Sequence, residues 1–184
     1  MTRIVAGAAG GRRLAVPPRG TRPTSERVRE ALFSALDAAA ALDGARVLDL
    51  YAGSGALGLE ALSRGAAHAL LVERDSAAVR SLRRNVAAVG LPGAEIRNGS
   101  VEAALRTAPE ARYQVVLADP PYAVTGAELA AVLAALAGWT EPGSLVVVER
   151  AVRSADPNWP LPYLAWRSRG YGDTMLHWAR HRDE

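Results

Sequence analysis

One stretch of the sequence combines an acidic residue, three glycines and the start of an amphipathic segment. The apolar run 47–50 contains Asp49, and glycines follow at positions 53, 55 and 58. Glycine lets the backbone approach a ligand where a Cβ atom would clash. A helix that begins there presents free N–H groups and the positive end of its dipole. The pattern therefore predicts a strand, a tight turn and a helix that bind an anionic or electron-rich group.

The glycine spacing fits two kinds of cofactor. Gly53-x-Gly55-x-x-Gly58, with Glu73 about twenty residues on, matches the dinucleotide fingerprint and suits a nicotinamide-dependent oxidoreductase. Asp49 favours another ligand, because its carboxylate would repel a pyrophosphate but attract the ammonium and sulfonium groups of S-adenosylmethionine. An ordinary turn between a strand and a helix would also satisfy the pattern. All three interpretations stay open at this point.

A second stretch, Asp119-Pro120-Pro121-Tyr122, is the more specific signal. Two prolines after a buried strand make a stiff loop whose carbonyl groups are not used in a sheet. The Asp119 carboxylate and the Pro120 carbonyl can both accept hydrogen bonds from one planar NH₂ group. Such acceptors would localise the nitrogen lone pair for attack, while Tyr122 stacks on the base. A turn that merely buries a tyrosine is the alternative.

Composition narrows the class of protein. The 184 residues contain no cysteine, which excludes disulfides and thiolate metal sites. The three histidines lack the spacing of a zinc site, so we expect no metal. No apolar run is long enough to span a bilayer, and the N-terminus lacks a signal-peptide pattern. We expect a cytoplasmic protein with one hydrophobic core, no membrane contact and a monomeric state.

The N-terminal thirty residues are strongly basic. They carry seven arginines against two glutamates, and the whole chain contains no lysine. Because arginine binds phosphate in a bidentate manner, this arm is a plausible contact for RNA, although a solvated polar segment would have the same composition. None of Arg22, Arg27 and Arg29 is expected to be needed for packing. The arginines are Arg3, Arg12, Arg13, Arg19, Arg22, Arg27 and Arg29.

Hydrophobic patterning supplies the elements that position these residues. An N-terminal hairpin is predicted from strands 4–6 and 14–16, followed by a helix that Thr24 or Ser25 caps. From Ala45 onward strands alternate with helices, which predicts a parallel sheet covered on both faces. A C-terminal antiparallel hairpin then closes the sheet edge. The predicted strands after the opening one are 69–72, 94–96, 113–118, 145–148, 163–167 and 174–178.

Four polar groups follow predicted strands: Asp49 with the glycine turn, Glu73, residues 98–100, and Asp119 with its loop. Ligands of open α/β sheets bind outside the carboxyl ends of the strands. Each group suits one part of an adenosyl cofactor, since Glu73 can accept hydrogen bonds from both ribose hydroxyls and Ser100 or Val101 can line the adenine. Glu73 as a helix N-terminal acid and Ser100 as a simple helix cap are the alternatives.

Segments 3–7, 11–14, 22–33, 49–61 and 119–122 carry a resemblance that covers nearly the whole chain. The sequence resembles class I S-adenosylmethionine-dependent methyltransferases of the amino-directed type. More narrowly, it is similar to the bacterial family that methylates the 2-amino group of a guanine in 16S ribosomal RNA. The resemblance implies a Rossmann-like, mostly parallel seven-stranded sheet with helices on both faces. It divides the chain into an N-terminal extension (1–42) that covers RNA and cofactor, and a methyltransferase domain (43–184).

The resemblance also implies a role for each candidate residue. It places the target base against Asp119, Pro120, Pro121 and Tyr122. It places S-adenosylmethionine against Asp49, Tyr51, Gly53, Ser54, Gly55, Glu73, Arg74, Ser100, Val101, Arg22 and Thr24. The partner is 16S rRNA, in the small ribosomal subunit or an assembly intermediate, with the basic N-terminal arm as an RNA contact. Residues 98–100 lack the acid that related enzymes often place near the adenine, so those contacts are expected to be mostly with the backbone.

Rival functions remain at this stage. A DNA adenine 6-amino methyltransferase would use the same loop, because the geometry serves any planar amino group. Against it, the chain has little room for a domain that reads DNA sequence, whereas a ribosomal particle can supply recognition by shape. A non-catalytic RNA-binding module that uses the arginine arm is the third class.

Overall fold

A seven-stranded sheet lies at the centre of the computed structural model, which describes residues 1–18 and 24–183. Arg22, one of the predicted cofactor contacts, lies outside the described residues. The strands of this sheet are β3 (Arg46–Leu50), β4 (His68–Glu73), β5 (Ala94–Asn98), β6 (Tyr113–Ala118), β7 (Thr140–Ala151), β8 (Tyr163–Tyr171) and β9 (Thr174–His181). The first two strands, β1 (Thr2–Arg3) and β2 (Arg13–Leu14), form a separate antiparallel pair.

The strand order in the sheet is β5-β4-β3-β6-β7-β9-β8. All neighbours are parallel except β9, which runs antiparallel to both β7 and β8. This confirms the predicted parallel sheet with a C-terminal hairpin. The order reverses between β3 and β6, so the loops after these two strands diverge and leave a crevice at the carboxyl edge.

Helices cover both faces of the sheet. They are α1 (Glu26–Ala38), α2 (Ala56–Ser63), α3 (Ser76–Val89), α4 (Val101–Leu105) and α5 (Gly126–Ala135). Side chains alternate across the central strands: Val47, Val115 and Val147 join the core under α1 to α3, while Leu48, Val116 and Val146 join the core under α4 and α5. Because both faces are buried, these strands are apolar throughout, as the sequence predicted. In the described part of the chain no helix is long and apolar enough to cross a membrane.

Several element boundaries differ from the prediction. The N-terminal strands lie at 2–3 and 13–14 instead of 4–6 and 14–16, because residues 4–12 form the turn between them. Strand β7 begins at Thr140, since Thr140 pairs with Tyr113 before the register shifts at Leu145. Helix α4 was expected only under the alternative in which Ser100 caps a helix, because five residues are too few to display a helical period. Ser25, not Thr24, caps α1 by accepting the N–H of Val28.

The N-terminal segment is attached to the main sheet through a buried acid. Glu60 of α2 is fully buried, and its carboxylate accepts the backbone N–H groups of Val5 and Ala6 at 2.8 and 3.0 Å. The guanidinium of Arg29 lies 3.6 Å from the same carboxylate and is also fully buried. The expectation that Arg29 is not needed for packing is therefore wrong. Its charge helps to neutralise Glu60 in the core, together with Arg64, whose Nε lies 2.9 Å from the other Glu60 oxygen.

Candidate active site

A cavity of about 740 Å³ opens at the carboxyl edge of the sheet, beside the crevice between β3 and β6. Its lining includes residues of three of the four polar groups that the sequence singled out, namely Glu73, the segment 98–100 and the Asp119 loop. The predicted residues that line it are Thr24, Tyr51, Glu73, Arg74, Val101, Asp119, Pro120, Pro121 and Tyr122. The predicted residues Asp49, Gly53, Ser54, Gly55 and Ser100 are not among its lining residues.

Asp49 is buried at the end of β3. One carboxylate oxygen, Oδ2, accepts the N–H of Gly58 at 2.9 Å, while the other, Oδ1, is buried with no hydrogen-bond partner among the described residues. Burial raises the pKa of this carboxyl to about 7, the Gly58 N–H lowers it in part, and the charge of Glu73 raises it further. A buried acceptor without a partner is costly unless a ligand supplies the donor.

The glycine turn leaves room on one side and none on the other. Gly55 caps α2 with a φ of 83°, and a Cβ there would collide with Leu82 Cδ1. Gly53 also has a positive φ, 56°, but a Cβ at this position would meet nothing within 4 Å. Gly55 is therefore required for packing, whereas Gly53, although buried, has open space on its Cβ side that a ligand can occupy.

Asn85 of α3 holds this turn in place and was not identified from the sequence. Its side-chain amide donates to the carbonyls of Ser54 and Ala15, both at 2.8 Å, and its oxygen accepts the N–H of Ala15 at 2.8 Å. Asn85 is buried, so all these bonds are protected from water. The sequence signal that could have identified Asn85 is a polar residue within the apolar stripe of α3. Its partners, Ser54 and Ala15, are 31 and 70 residues away in sequence.

The residues that follow β4 and β5 differ in how directly they face the cavity. Glu73 accepts the N–H of Gly53 through Oε2 and that of Asp75 through Oε1, each at 2.8 Å. Arg74 is exposed at the rim. Ser100 caps α4, and its hydroxyl accepts the N–H of Ala103 at 3.0 Å. Its neighbours Gly99 and Val101 form the wall where an adenine is expected.

Two carboxylates and a hydroxyl meet at the ends of β6 and β7. Thr24 Oγ1 lies 3.2 Å from Asp119 Oδ2 and 2.8 Å from Glu149 Oε2. A hydroxyl has a single hydrogen, so it can donate fully to only one carboxylate, and the other is satisfied when it carries a proton itself. Burial and the charge of Glu149 raise the pKa of Asp119 well above its usual value, and burial raises that of Glu149. Both raised pKa values favour sharing of a proton between the two carboxyls.

Glu149 and Arg150 were not assigned to the site from the sequence. Glu149 follows the buried part of β7 as Glu73 and Asp119 follow β4 and β6, so its position at a strand end was the available signal. Arg150 donates through Nη2 to the carbonyl of Val124 at 3.0 Å, while its Nε is buried without a partner among the described residues. Both residues line the cavity.

The Asp119 loop presents its tyrosine to solvent. Pro120 is buried and lines the cavity, but the Tyr122 side chain is 76% exposed. The ring is therefore free to stack on an incoming base, and the alternative of a buried tyrosine is wrong. Tyr51 also lines the cavity and has a φ of 59°, a strained value for a non-glycine residue. Burial raises the pKa of its hydroxyl to about 12.

The basic N-terminal arm is only partly available as a surface. Arg29 is buried, the Arg12 guanidinium donates to the carbonyl of Val89, and Arg3 pairs with Glu26 at 3.2 Å. Arg19 and Arg22 lie outside the described residues. Arg27 is exposed and lines the cavity. Of the described arginines of the arm, Arg27 is thus the one that faces the site.

The residues present fit an S-adenosylmethionine group. The unpartnered Asp49 oxygen can accept from an ammonium, and the open space at Gly53 admits a ligand backbone. Glu73 retains lone pairs for ribose hydroxyls, because each of its oxygens accepts a single backbone N–H. Among the described residues no cluster of three acids or histidines could hold a metal ion.

Comparison with known proteins gives consistent matches. Residues 2–180 match the family described as "Conserved hypothetical protein 95". Ribosomal RNA small subunit methyltransferase D of Escherichia coli (strain K12) is 38% identical over 171 residues, which cover 92% of this chain and 85% of that protein. The solved structure of yhhF from Escherichia coli superposes with a TM-score of 0.86 at 34% identity, covering 98% and 97% of the two chains. An RNA methyltransferase from Salinibacter ruber, solved with S-adenosyl-L-homocysteine, shares the fold at 19% identity and a TM-score of 0.67, covering 89% and 95%.

Proposed function

The chain belongs to the Conserved hypothetical protein 95 family, which includes the small-subunit rRNA methyltransferase D proteins, and we propose that it methylates the exocyclic 2-amino group of a guanine in 16S rRNA. It is an S-adenosylmethionine-dependent methyltransferase of the class I fold. The observation that supports the amino target is the position of Asp119 and Pro120 on the wall of the cofactor cavity. Both can offer an oxygen to one NH₂ group there.

S-adenosylmethionine supplies an activated methyl group on its sulfonium. For this group the chain offers three kinds of contact. Asp49 Oδ1 would accept from the ammonium, Glu73 would accept from the ribose hydroxyls, and Gly99 with Val101 would line the adenine. The protein's contribution is position, since methyl transfer needs reacting atoms about 3–3.5 Å apart and aligned.

The Asp119 loop prepares the nucleophile. The amino nitrogen of guanine is a poor nucleophile because its lone pair is delocalised into the ring. The Asp119 carboxylate and the Pro120 carbonyl accept its two hydrogens, which draws the lone pair towards the methyl group. Stacking on Tyr122 contributes about 1–3 kcal/mol per base. The base must leave its stack to reach this position, as for other enzymes that act on a base.

The methylated nitrogen must lose a proton, and Asp119 accepts it with the help of Thr24 and Glu149. Methylation makes the nitrogen positive, and the N–H bond then breaks as its proton passes to Asp119. The raised pKa of Asp119 suits it to accept this proton. Thr24 Oγ1 lies within hydrogen-bond distance of both carboxylates. The proton that Asp119 accepts can therefore pass on towards Glu149 and the solvent.

The Asp119→Ala variant tests this proposal. We expect kcat to fall by about 10²–10³ or more, as when one preorganised polar contact is removed from a reacting group. Cofactor affinity, measured by calorimetry, should stay within about twofold, because Asp49 and Glu73 remain. Glu110→Gln, which removes an exposed carboxylate before β6, is the matched control and should retain activity.

The assay is methyl incorporation into undermethylated small ribosomal subunits, with the modified nucleotide mapped by mass spectrometry. Equal loss of turnover and cofactor binding in Asp119→Ala would contradict the assigned role. Incorporation into duplex DNA but not into subunits would favour the adenine 6-amino alternative. RNA affinity without any methyl transfer would indicate a non-catalytic binding module.

A further inference from the structure

The C-terminal hairpin carries a surface that the reaction does not use. Strand β8 is exposed from Leu164 to Gly170, and its side chains form a layer with those of β9. We define the hairpin surface as Trp166, Arg167, Arg169 and Arg180. Trp166 is 45% exposed and meets the buried Trp178 edge to face, with ring centroids 5.9 Å apart.

The arginines of this surface stack on aromatic rings instead of pairing with acids. Arg167 Cζ lies 4.6 Å from the Trp166 ring centre and 4.5 Å from that of Trp178. Arg180 Cζ lies 5.1 Å from Trp166. Within residues 1–18 and 24–183, no carboxylate lies within 4.0 Å of the guanidinium nitrogens of Arg167, Arg169 or Arg180.

Stacking uses the face of a guanidinium and leaves the N–H groups in its plane free. Those donors have the fork geometry that matches a phosphate group. The rings also hold the side chains in place, which reduces the entropy lost when a ligand binds. Trp166 keeps exposed ring area beside these charges. Cationic donors next to an exposed aromatic ring are the combination used to bind single-stranded nucleic acid.

The surface is continuous with the active-site cavity. Arg169 Cζ lies 5.9 Å from the ring centre of Tyr171, and Tyr171 lines the cavity together with the β8–β9 turn. At about 3.3 Å per residue along a strand, Arg167 lies about 13 Å from Tyr171. A strand of RNA whose target base enters the cavity would thus reach the hairpin surface within a few nucleotides.

We propose that the hairpin surface binds a single-stranded segment of the RNA substrate adjacent to the target nucleotide, which rests on the proposed function. The arginines contact phosphates and Trp166 stacks on a base. A purely structural alternative is that charges on β8 only prevent edge-to-edge association of the sheet. That alternative predicts no effect on RNA affinity when the arginines are replaced.

The test replaces the three arginines together, as R167Q/R169Q/R180Q. The matched control, R80Q/R83Q/R84Q, removes the same charge from exposed positions on α3, which packs at the opposite end of the sheet. RNA affinity is measured by fluorescence anisotropy with a labelled single-stranded RNA and with a 16S rRNA transcript, over a series of salt concentrations. Methylation of undermethylated subunits gives kcat and KM, and calorimetry gives cofactor affinity.

We expect the plot of log affinity against log salt to be less steep for the hairpin variant, by about two in the magnitude of its slope. Each phosphate contact on a single strand contributes about 0.7, and the variant removes three arginines. KM for RNA should rise about tenfold, with kcat at saturating RNA and cofactor affinity unchanged. Trp166→Ala should weaken binding while leaving the salt slope as in the unmodified protein. The α3 control should retain the slope of the unmodified protein.

Three results would overturn the inference. The first is unchanged affinity and slope in the hairpin variant, and the second is an equal loss in the α3 control, which would mean non-specific charge alone. The third is a hairpin variant that loses affinity for a polyglutamate peptide but keeps its affinity for RNA, which would assign the surface to an acidic protein. If the unmodified protein binds RNA through this surface but methylates none, the inference stands and the proposed function fails.

Discussion

Replacing Glu149 with glutamine should move the acid limb of the kcat/KM pH profile to lower pH by about one to two pH units. The reason is the charge that Glu149 places beside Asp119. Asp119 must be ionised to accept the amino hydrogens, and its pKa is raised by burial and by the charge of Glu149. Removing that charge lowers the pKa of Asp119, so the active form persists in more acidic solution.

The size of the change follows from the Thr24 bridge. Because Thr24 Oγ1 lies 3.2 Å from one carboxylate oxygen and 2.8 Å from the other, those two oxygens are at most about 6 Å apart. Two unit charges at about 6 Å with an effective dielectric constant near 20 repel by about 2.8 kcal/mol. At 1.36 kcal/mol per pKa unit this corresponds to about two pH units, and additional solvent in the open cavity reduces it towards one.

Thr24→Val should shift the same limb in the opposite direction. The Thr24 hydroxyl lowers the pKa of both carboxyls, so its loss raises the pKa of Asp119. The assay is methyl incorporation at subsaturating RNA across the pH range, with Glu110→Gln as the control that should not move the limb. If Glu149→Gln and Thr24→Val shift the limb in the same direction, or neither shifts it, the proton-sharing account of this cluster is refuted.

Two further predictions concern the buried charges. Arg29→Ala removes a fully buried side chain and one of the two cations beside Glu60, while Arg64 stays 2.9 Å from the other Glu60 oxygen. It should lower the free energy of unfolding by about 2–3 kcal/mol in urea titrations, whereas the exposed Arg27→Ala should change it by less than about 0.5 kcal/mol. An equal effect of both would argue against the buried pair. Cofactor affinity should rise as pH increases through about 7, because the pKa of Asp49 is about 7 in the free protein and an ammonium favours the ionised form. Calorimetry should show this rise to be absent in Asp49→Asn, and a flat profile in the unmodified protein would mean that Asp49 does not face the ammonium.

Elements with a strong local signal were predicted close to their observed bounds. Strand β6 (113–118) was predicted with its observed limits, and α3 ends at Gly90 as expected, because a glycine with positive φ terminates a helix locally. The N-terminal strands and the start of β7 were misplaced. Their limits depend on which residues find partners across the sheet, and that information is not contained in a short window of sequence.

The sequence by itself determined the glycine turn, the Asp119 loop and the parallel strands whose carboxyl ends lie at one edge. Side-chain neighbours from distant segments were decided only by the tertiary structure. Thr24 contacts Asp119, 95 residues away in sequence, and Glu149, 125 residues away. Arg29 pairs with Glu60 in the core, and composition alone did not predict that these two charged residues are buried together. The physical reason is that these contacts require helix α1 to be packed against the sheet. Burial in that packed arrangement then decides which charges are neutralised and which carboxyl pKa values are raised.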